Sequence, residues 1–237
     1  MILFKKAKDL RKWLDAQEEK ANHIGFAPTM GALHEGHLSL IGASKKINPI
    51  TVCSIFVNPS QFNDPKDFEK YPVTIEKDIN LLEEAGCDVL FLPSVKEIYP
   101  NGIPKTRHYE LGFLESVLEG KFRPGHFQGV CTVVHRLLDI VKPHHLYLGQ
   151  KDYQQCMVIT KLIELTGKGD KIKITICPTL READGLAMSR RNMRLTSDER
   201  AKATTIFKTL QFIKEHLRPG NIEKLKLNAG ALLEEQG

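Results

Sequence analysis

The chain has 237 residues, of which 41% are hydrophobic and 27% charged, and its net charge is +5. This composition is typical of a globular protein and excludes a disordered one. No apolar run approaches the roughly 18–20 residues of a membrane span, and residues 1–6 are too short for a signal peptide. We therefore expect a soluble cytoplasmic protein with no membrane partner. The mild basic excess permits an anionic partner but does not select one.

Apolar runs that end at proline or glycine predict the strands, and apolar residues at helical spacing predict the helices between them. This alternation is typical of an α/β fold, a Rossmann-like doubly wound parallel sheet whose ligand sites lie at the carboxyl ends of the strands. The predicted strands are 24–27, 51–57, 89–92, 146–148 and 173–177, and the predicted helices are 74–85, 127–141 and 153–165.

The pattern changes after Pro178, where helices replace the alternation. Thr196 and Glu199 have the spacing of a capping box in front of a helix with an apolar stripe from Ile206 to Leu217. A further helix is expected from Asn221. We predict a Rossmann-like nucleotide-binding domain over 1–178 and a small, mostly helical domain over 179–237.

The five cysteines indicate a reducing compartment. Their spacing contains no C-x-x-C pair, their number is odd, and most lie inside apolar runs. We interpret them as small buried hydrophobic residues. They are Cys53, Cys87, Cys131, Cys156 and Cys177.

A motif with two histidines follows the first predicted strand, at residues 28–37. Its glycines, Gly31 and Gly36, let the backbone approach a ligand closely. His34 and His37 are three apart, so on a helix they share a face, and a helix N-terminus favours anions. Two imidazoles there can donate to phosphate oxygens, whereas a metal site lacks a third nearby ligand. The pattern H-x-G-H resembles the HIGH signature of the nucleotidylyltransferase superfamily.

A basic loop follows the last predicted strand, at residues 181–192. Its segment Met188-Ser189-Arg190-Arg191 resembles the KMSKS loop of the same superfamily. The basic groups and the Ser189 hydroxyl can clamp a triphosphate and neutralise a leaving pyrophosphate. We interpret Gly185 as a hinge for loop closure.

Further polar residues follow other strands. Lys151 can contact phosphate and Asp152 can accept hydrogen bonds from ribose hydroxyls. The amides of Asn58 and Gln61 and the cation of Arg123 can select a polar substrate, because buried polar groups reject ligands that lack matching partners.

Together these stretches resemble the pantothenate synthetase (pantoate–β-alanine ligase) family. The resemblance implies two steps: the pantoate carboxylate attacks the α-phosphate of Mg-ATP to give pantoyl adenylate and pyrophosphate, and the β-alanine amine then displaces AMP. It also implies ATP with Mg²⁺, pantoate and β-alanine as ligands, and a homodimer through the larger domain. The matching stretches are 28–37, 54–62, 123–127, 151–155 and 181–192.

The resemblance also implies roles for single residues. His37 would be the proton donor, His34 would contact the phosphates, and Lys151 would contact the developing charge. The residues implied for ATP are Pro28, Thr29, Met30, Gly31, His34, Gly36, His37, Gly149, Lys151, Asp152, Leu180, Leu186, Met188, Ser189 and Arg191. Those implied for pantoate and β-alanine are Met30, Asn58, Gln61, Arg123, His126 and Gln155. Gln150, where many relatives carry Glu, and the pair Lys77-Asp78 depart from the family, so we assign no protein metal ligand.

Two other functions stay open. One is another HIGH-motif adenylyl- or nucleotidyltransferase, which would share the two signature loops but not the substrate-selecting residues. The other is a tRNA-binding module, disfavoured because no Lys/Arg stripe is interleaved with aromatic residues. The chain ends directly after a helix, at 233–237, where relatives usually continue into further strands. We therefore expect a truncated second domain or a shortened lid.

Overall fold

The computed structural model describes residues 1–61, 74–103 and 108–236. They form two compact units. The sheet unit comprises the described residues of Met1–Leu33 and His37–Pro178, and the helical unit comprises His34–Gly36 and the described residues from Thr179 onward. Among the described residues, no helix combines the length and the apolar character that a membrane crossing requires.

A six-stranded sheet, parallel throughout, forms the centre of the sheet unit, with the order β1-β4-β3-β2-β5-β6. The chain begins with β1 at one edge of the sheet and continues to β2 near the centre. It then builds outward through β3 and β4, which pairs with β1, and returns to add β5 and β6 on the other side of β2. This confirms the predicted doubly wound fold, and ligands of such sheets bind where the order reverses, here at the carboxyl ends of β2 and β5. The strands are β1 (Ile2–Phe4), β2 (Ile24–Thr29), β3 (Ile50–Ile55), β4 (Val89–Phe91), β5 (His145–Gly149) and β6 (Lys173–Cys177).

The helices agree with the three predicted in the sheet unit to within one residue at each end, and the structure adds others. In the sheet unit they are α1 (Ala7–Glu18), α2 (Glu35–Lys45), α3 (Ile75–Glu84), α4 (Val95–Ile98), α5 (Leu118–Phe122), α6 (His126–Val141) and α7 (Tyr153–Leu165). In the helical unit they are α8 (Ser197–His216) and α9 (Ile222–Glu234). The first two residues of α2 are grouped with the helical unit.

Both faces of the sheet are buried. Successive strand residues alternate between two cores: Phe26 and Val52 pack with α1, α6 and α7, whereas Ala27 and Cys53 pack with α2 and α3. Because helices cover both faces, each strand reads as a continuous apolar run. All five cysteines are buried and free, as predicted.

The helical unit contains the predicted capping box. The Thr196 hydroxyl accepts from the Glu199 amide at 3.3 Å, and the Glu199 carboxylate accepts from the Thr196 amide at 2.8 Å. The apolar stripe predicts the existence of α8 but not its buried face. Ile206 is 58% exposed, whereas Thr209 is 4% exposed, so the hydroxyl-bearing face is the one that packs.

Candidate active site

The chain turns sharply after β2, at the start of the two-histidine motif. The Thr29 hydroxyl donates to the Ser54 carbonyl at 2.8 Å and accepts from the Gly31 amide at 3.2 Å. Gly31 and Ala32 then adopt positive φ values of 79° and 56°. A Cβ on Gly31 would lie 2.9 Å from Ile55 Cγ2, so both the conformation and the space require glycine.

Asp78 of α3 fixes this turn through hydrogen bonds to its backbone amides. Its carboxylate is fully buried, and it accepts from the amides of Ala32 at 2.7 Å and Leu33 at 2.8 Å, as well as from the Thr74 hydroxyl at 3.1 Å. Sequence reasoning did not assign it this role, although a carboxylate beside the apolar stripe of α3 is a signal of a paired buried charge. Because both oxygens bind backbone amides, Asp78 orients the loop.

The two histidines differ in position. Helix α2 begins at Glu35, so His34 precedes it, and its Nδ1 accepts from the Gly36 amide at 3.1 Å. This capping bond requires the lone pair on Nδ1, which puts the proton of the neutral ring on Nε2. The expectation that His34 and His37 share a helix face is wrong, because only His37 lies within the helix. A Cβ on Gly36 would lie 2.8 Å from the His34 ring.

The start of α6 meets the turn that follows β3. His126 Nδ1 lies 2.9 Å from the Gln61 carbonyl, and its Nε2 lies 3.2 Å from Arg123 Nη1. A carbonyl can only accept and a guanidinium can only donate, so the ring is neutral with its proton on Nδ1. Burial, with a contribution from Arg123, lowers the pKa of His126 and so favours this form. Gly129 allows α6 to pack closely against the backbone of Ser60, since a Cβ on Gly129 would lie 2.3 Å from the Ser60 carbonyl.

Asn58 connects this turn to the rest of the sheet unit. It is fully buried, and its Nδ2 donates to the Gly129 carbonyl at 3.2 Å and to Gln61 Oε1 at 3.4 Å. Its Oδ1 accepts from the Tyr99 hydroxyl at 3.0 Å. The Gln61 side-chain amide in turn points its Nε2 at Met30 Sδ.

Five of the six residues implied for pantoate and β-alanine therefore meet in one place, which we call the amide cluster. Gln155 is not joined to the cluster by a hydrogen bond: it is half-buried in the first turn of α7, and its side chain has no hydrogen bond to any described residue. Tyr99 and Gly129 belong to the setting of the cluster and were missed by sequence reasoning, because only the fold brings them to Asn58. The amide cluster consists of Met30, Asn58, Gln61, Arg123 and His126.

The residues implied for phosphate and ribose contacts follow β5. Gly149 ends the strand, and Lys151 and Asp152 lie in the short 3-10 turn behind it. Both side chains are exposed, and Lys151 Nζ lies 2.9 Å from the Asp152 carboxylate. Since β5 neighbours β2, the turn lies at the point where the strand order reverses.

In the helical unit, the predicted basic loop is a compact hairpin. The Met188 amide donates to the Leu180 carbonyl at 3.0 Å, and the tip is a turn at Gly185 with φ of 89°. The Gly185 backbone packs on the Phe207 ring, where a Cβ would lie 2.4 Å away, and the Arg181 guanidinium stacks on the same ring at 4.0 Å. Gly185 thus forms a tight packed turn, and this packing gives no support to its interpretation as a hinge.

Helix α8 holds the hairpin through charged groups. Arg200 Nη2 donates to Glu182 at 2.7 Å and to Asp184 at 2.8 Å. Asn192 donates to Glu182 at 2.8 Å and to the Ala187 carbonyl at 2.9 Å. The hydrogen bonds from Asn192 and Arg200 lower the pKa of Glu182, so the carboxylate stays charged.

The residues implied for the triphosphate lie in this hairpin and directly after it. Ser189 Oγ accepts from the Arg191 amide at 3.2 Å and so starts the 3-10 turn Arg190–Arg194. The Arg191 side chain is exposed, and Leu186 and Met188 are half-buried. Leu180, at the base of the hairpin, is exposed.

A metal site in the protein would need several His, Cys, Asp or Glu side chains close together. Within 1–61, 74–103 and 108–236, no group of three or more His, Cys, Asp or Glu side chains could hold a metal ion. That no protein residue holds the metal stays a prediction.

Proteins of known family resemble this chain along most of its length. A family model described as pantoate-β-alanine ligase matches residues 2–237. A pantothenate synthetase of Cytophaga hutchinsonii is 48% identical over 223 residues, which cover 94% of this chain and 77% of that protein. One from Aquifex aeolicus is 46% identical over 219 residues, which cover 92% of this chain and 76% of that protein.

Solved structures are similar as well. A crystal structure of pantothenate synthetase from Thermus thermophilus matches with a TM-score of 0.86 at 40% identity, covering 100% of this chain and 82% of that one. A pantoate-β-alanine ligase from Francisella tularensis, complexed with beta-gamma ATP and β-alanine, matches with a TM-score of 0.82 at 42% identity, covering 98% and 86%. The chain therefore belongs to the pantoate-β-alanine ligase family.

Proposed function

We propose that this protein ligates pantoate and β-alanine to pantothenate at the cost of ATP, through a pantoyl adenylate, with release of pyrophosphate and AMP. Family membership supports the ligation, and the Francisella tularensis relative is a complex with beta-gamma ATP and β-alanine. The observation that carries the proposal is the amide cluster, a set of buried and half-buried polar side chains around Gln61 and Arg123 at the carboxyl end of the sheet. Such a set suits a small anion with hydroxyl groups.

In the first step, a pantoate carboxylate oxygen attacks the α-phosphorus of ATP, and the bond to the bridging oxygen breaks to release pyrophosphate. Arg123 and the Gln61 amide hold the carboxylate. The N-terminus of α2 and the ring protons of His34 and His37 stabilise negative charge on the phosphates. Lys151 balances charge at the α-phosphate, and Asp152 holds the ribose. Positioning and charge neutralisation carry phosphoryl chemistry, so no covalent enzyme residue is required.

In the second step, the β-alanine amine attacks the activated carbonyl, AMP leaves with the bonding electrons, and the ammonium loses a proton. The domain over 179–237 acts as the lid, and its hairpin contributes Ser189 and Arg191 to the triphosphate. Because Arg200 holds the hairpin in shape, these groups bind the phosphates with little ordering cost.

The direct test is the dependence of product release on pantoate. ATP and pantoate without β-alanine should yield about one pyrophosphate per site, and β-alanine should then release AMP and start turnover. Lactate and glycerate serve as matched acids that lack the pantoate skeleton. Products of ADP and phosphate would refute the adenylate, and equal rates with all acids would favour another transferase of the superfamily.

Three variants test the residue assignments. His37→Ala and Lys151→Ala should abolish adenylate formation while the fold is retained, because each removes a hydrogen-bond donor from the reacting phosphate. Gln155→Ala should mainly raise KM for pantoate. Lys161→Ala removes an exposed lysine that is paired with Glu164 at 3.1 Å on α7, and it serves as the control that leaves the rate unchanged. Unchanged adenylation in all three site variants would contradict the assignments.

We also propose a homodimer formed through the sheet unit. Three large apolar side chains there are exposed: Phe113 at 73%, Leu118 at 69% and Phe122 at 80%. A contiguous exposed apolar patch marks an association surface, and these three side chains lie within ten residues of one another along the chain. Phe122→Ser should convert the dimer to monomer in sedimentation velocity, whereas Ile47→Ser, at a position 61% exposed, should not. A monomeric wild-type protein at micromolar concentration would refute the homodimer.

Neither nucleic acid nor a membrane takes part in this proposal, and we place the reaction in the cytoplasm, where five free thiols stay reduced. A gel shift with tRNA at low salt tests the first point. Retardation at sub-micromolar protein, lost at high salt, would instead favour the tRNA-binding alternative.

A further inference from the structure

We propose that Tyr99 is a positioning residue that holds the side-chain amides of Asn58 and Gln61 in the orientation that suits the carboxylate substrate. The inference rests on the proposed function, because it assigns to Tyr99 a share in pantoate selection. Tyr99 does not itself belong to the amide cluster. It acts through Asn58, to which its hydroxyl donates at 3.0 Å.

Tyr99 is held rigidly. It follows α4, is 5% exposed, and packs edge-on against the Phe56 ring with 6.2 Å between ring centres. Burial raises the pKa of its hydroxyl to about 12, so the phenol remains protonated and remains a donor at every pH where the protein works.

The groups around Asn58 permit only one orientation of its amide, because the Ser60 N–H can only donate and the Gly129 carbonyl can only accept. The Tyr99 hydroxyl stabilises this orientation by donating to Oδ1. Asn58 Oδ1 also accepts from the Ser60 amide at 3.3 Å and from the Ser60 hydroxyl at 3.1 Å. A flipped amide would turn its NH2 group toward the Ser60 N–H and leave buried donors facing each other. The observed orientation therefore directs the Asn58 NH2 group at the Gly129 carbonyl and at Gln61 Oε1.

The orientation of the Asn58 amide also fixes the orientation of the Gln61 amide. Because Oε1 accepts from Asn58, the NH2 group of Gln61 must point away, and it points at Met30 within the amide cluster. The cluster then presents a donor to its ligand. A donor suits a carboxylate or hydroxyl oxygen and disfavours an amide NH2 or an ammonium at the same point. Tyr99 thus stabilises, through Asn58, the orientation in which Gln61 presents a donor to the substrate.

The test is Tyr99→Phe, which removes only the hydroxyl. Loss of one hydrogen bond of ordinary net strength should raise KM for pantoate about five- to tenfold, with kcat and KM for ATP within about twofold of wild type. Ser60→Ala, which removes a second donor to Asn58, should shift KM for pantoate in the same direction and by less. Circular dichroism and thermal unfolding verify that both variants fold.

Tyr109→Phe is the matched control. Tyr109 is equally buried, at 5% exposure, but its hydroxyl lies 2.9 Å from His135 Nδ1, outside the amide cluster. A purely structural role of Tyr99 predicts the same small effect for both variants, with unchanged KM for pantoate, and that result would overturn the inference. Wild-type protein without pantoate-dependent pyrophosphate release would remove the proposed function, and this inference with it.

Discussion

Replacing Asp78 by asparagine tests whether a buried carboxylate fixes the two-histidine motif for catalysis. The carboxylate binds the amides of Ala32 at 2.7 Å and Leu33 at 2.8 Å, immediately before His34 in the chain. Asparagine keeps the shape and one oxygen, but it turns an NH2 group toward a backbone N–H that cannot accept. The substitution therefore removes one hydrogen bond and leaves two donors face to face.

The magnitude follows from these contacts. A hydrogen bond to a charged group contributes about 1.5–3 kcal/mol, and an unsatisfied buried donor costs about 1–3 kcal/mol. The loop also holds Ala32 at a φ of 56°, a conformation that costs about 1–2 kcal/mol outside glycine. We expect the loop to relax, so unfolding free energy falls by about 2–4 kcal/mol. A displacement near 1 Å should lower kcat/KM for ATP about a hundredfold.

Asp88→Asn is the control. Asp88 also accepts a backbone amide, from Thr51 at 2.7 Å, and is paired with Lys45 at 2.8 Å, but it lies at the amino end of the sheet and is partly exposed. Its substitution should lower stability by about 1 kcal/mol and leave kcat/KM for ATP unchanged.

Urea unfolding and initial rates of pyrophosphate release measure the two effects separately. Rates are corrected for the folded fraction, so that a loss of activity reflects the loop and not the amount of folded protein. Wild-type kcat/KM for ATP in folded Asp78→Asn would refute the reasoning, because the loop would then hold its shape without the carboxylate.

Further outcomes concern other contacts. Arg200→Ala should raise KM for ATP about tenfold, because it loosens the hairpin. Lys226→Ala, which removes an exposed ion pair on α9, should leave KM for ATP unchanged. Equal KM values for ATP in the two variants would exclude an ordering role of Arg200. Burial and His23 lower the pKa of His144, whose Nδ1 accepts from the Ile24 amide at 3.1 Å. The unfolded chain then binds more protons at acid pH, so stability should fall as pH drops from about 7 to 5, and His144→Asn should flatten this slope in urea titrations; an unchanged slope would contradict the assignment.

The sequence predicted the elements whose signals are local. Runs such as 173–177 end at proline and carry β-branched residues, and the stripe of 153–165 has the spacing of a helix, so both were located from neighbours along the chain. The three-residue β1 was missed because no proline or glycine ends its apolar run, whereas the run of the equally short β4 ends at Pro93. The capping box of Thr196 was predictable because both partners lie within one turn.

Contacts between distant segments escaped the sequence. Asp78 orients a loop 45 and 46 residues away, and Tyr99 reaches Asn58 across 41 residues, so neither role leaves a local pattern. Helix periodicity alone placed His34 on α2, but the helix begins one residue later because the His34 ring itself serves as the cap. The candidate site residues were expected from the family resemblance. The residues that hold them in position, such as Asp78 and Tyr99, became apparent only from the structure.

The most direct measurement follows the oxygen atoms of pantoate. Pantoate with isotopically heavy oxygen in its carboxylate is incubated with ATP, β-alanine and the protein, and the products are analysed by mass spectrometry. Attack of the carboxylate on the α-phosphate predicts that one heavy oxygen appears in AMP, since the carboxylate oxygen leaves with the nucleotide. Heavy oxygen in inorganic phosphate, or AMP without it, would contradict the pantoyl adenylate.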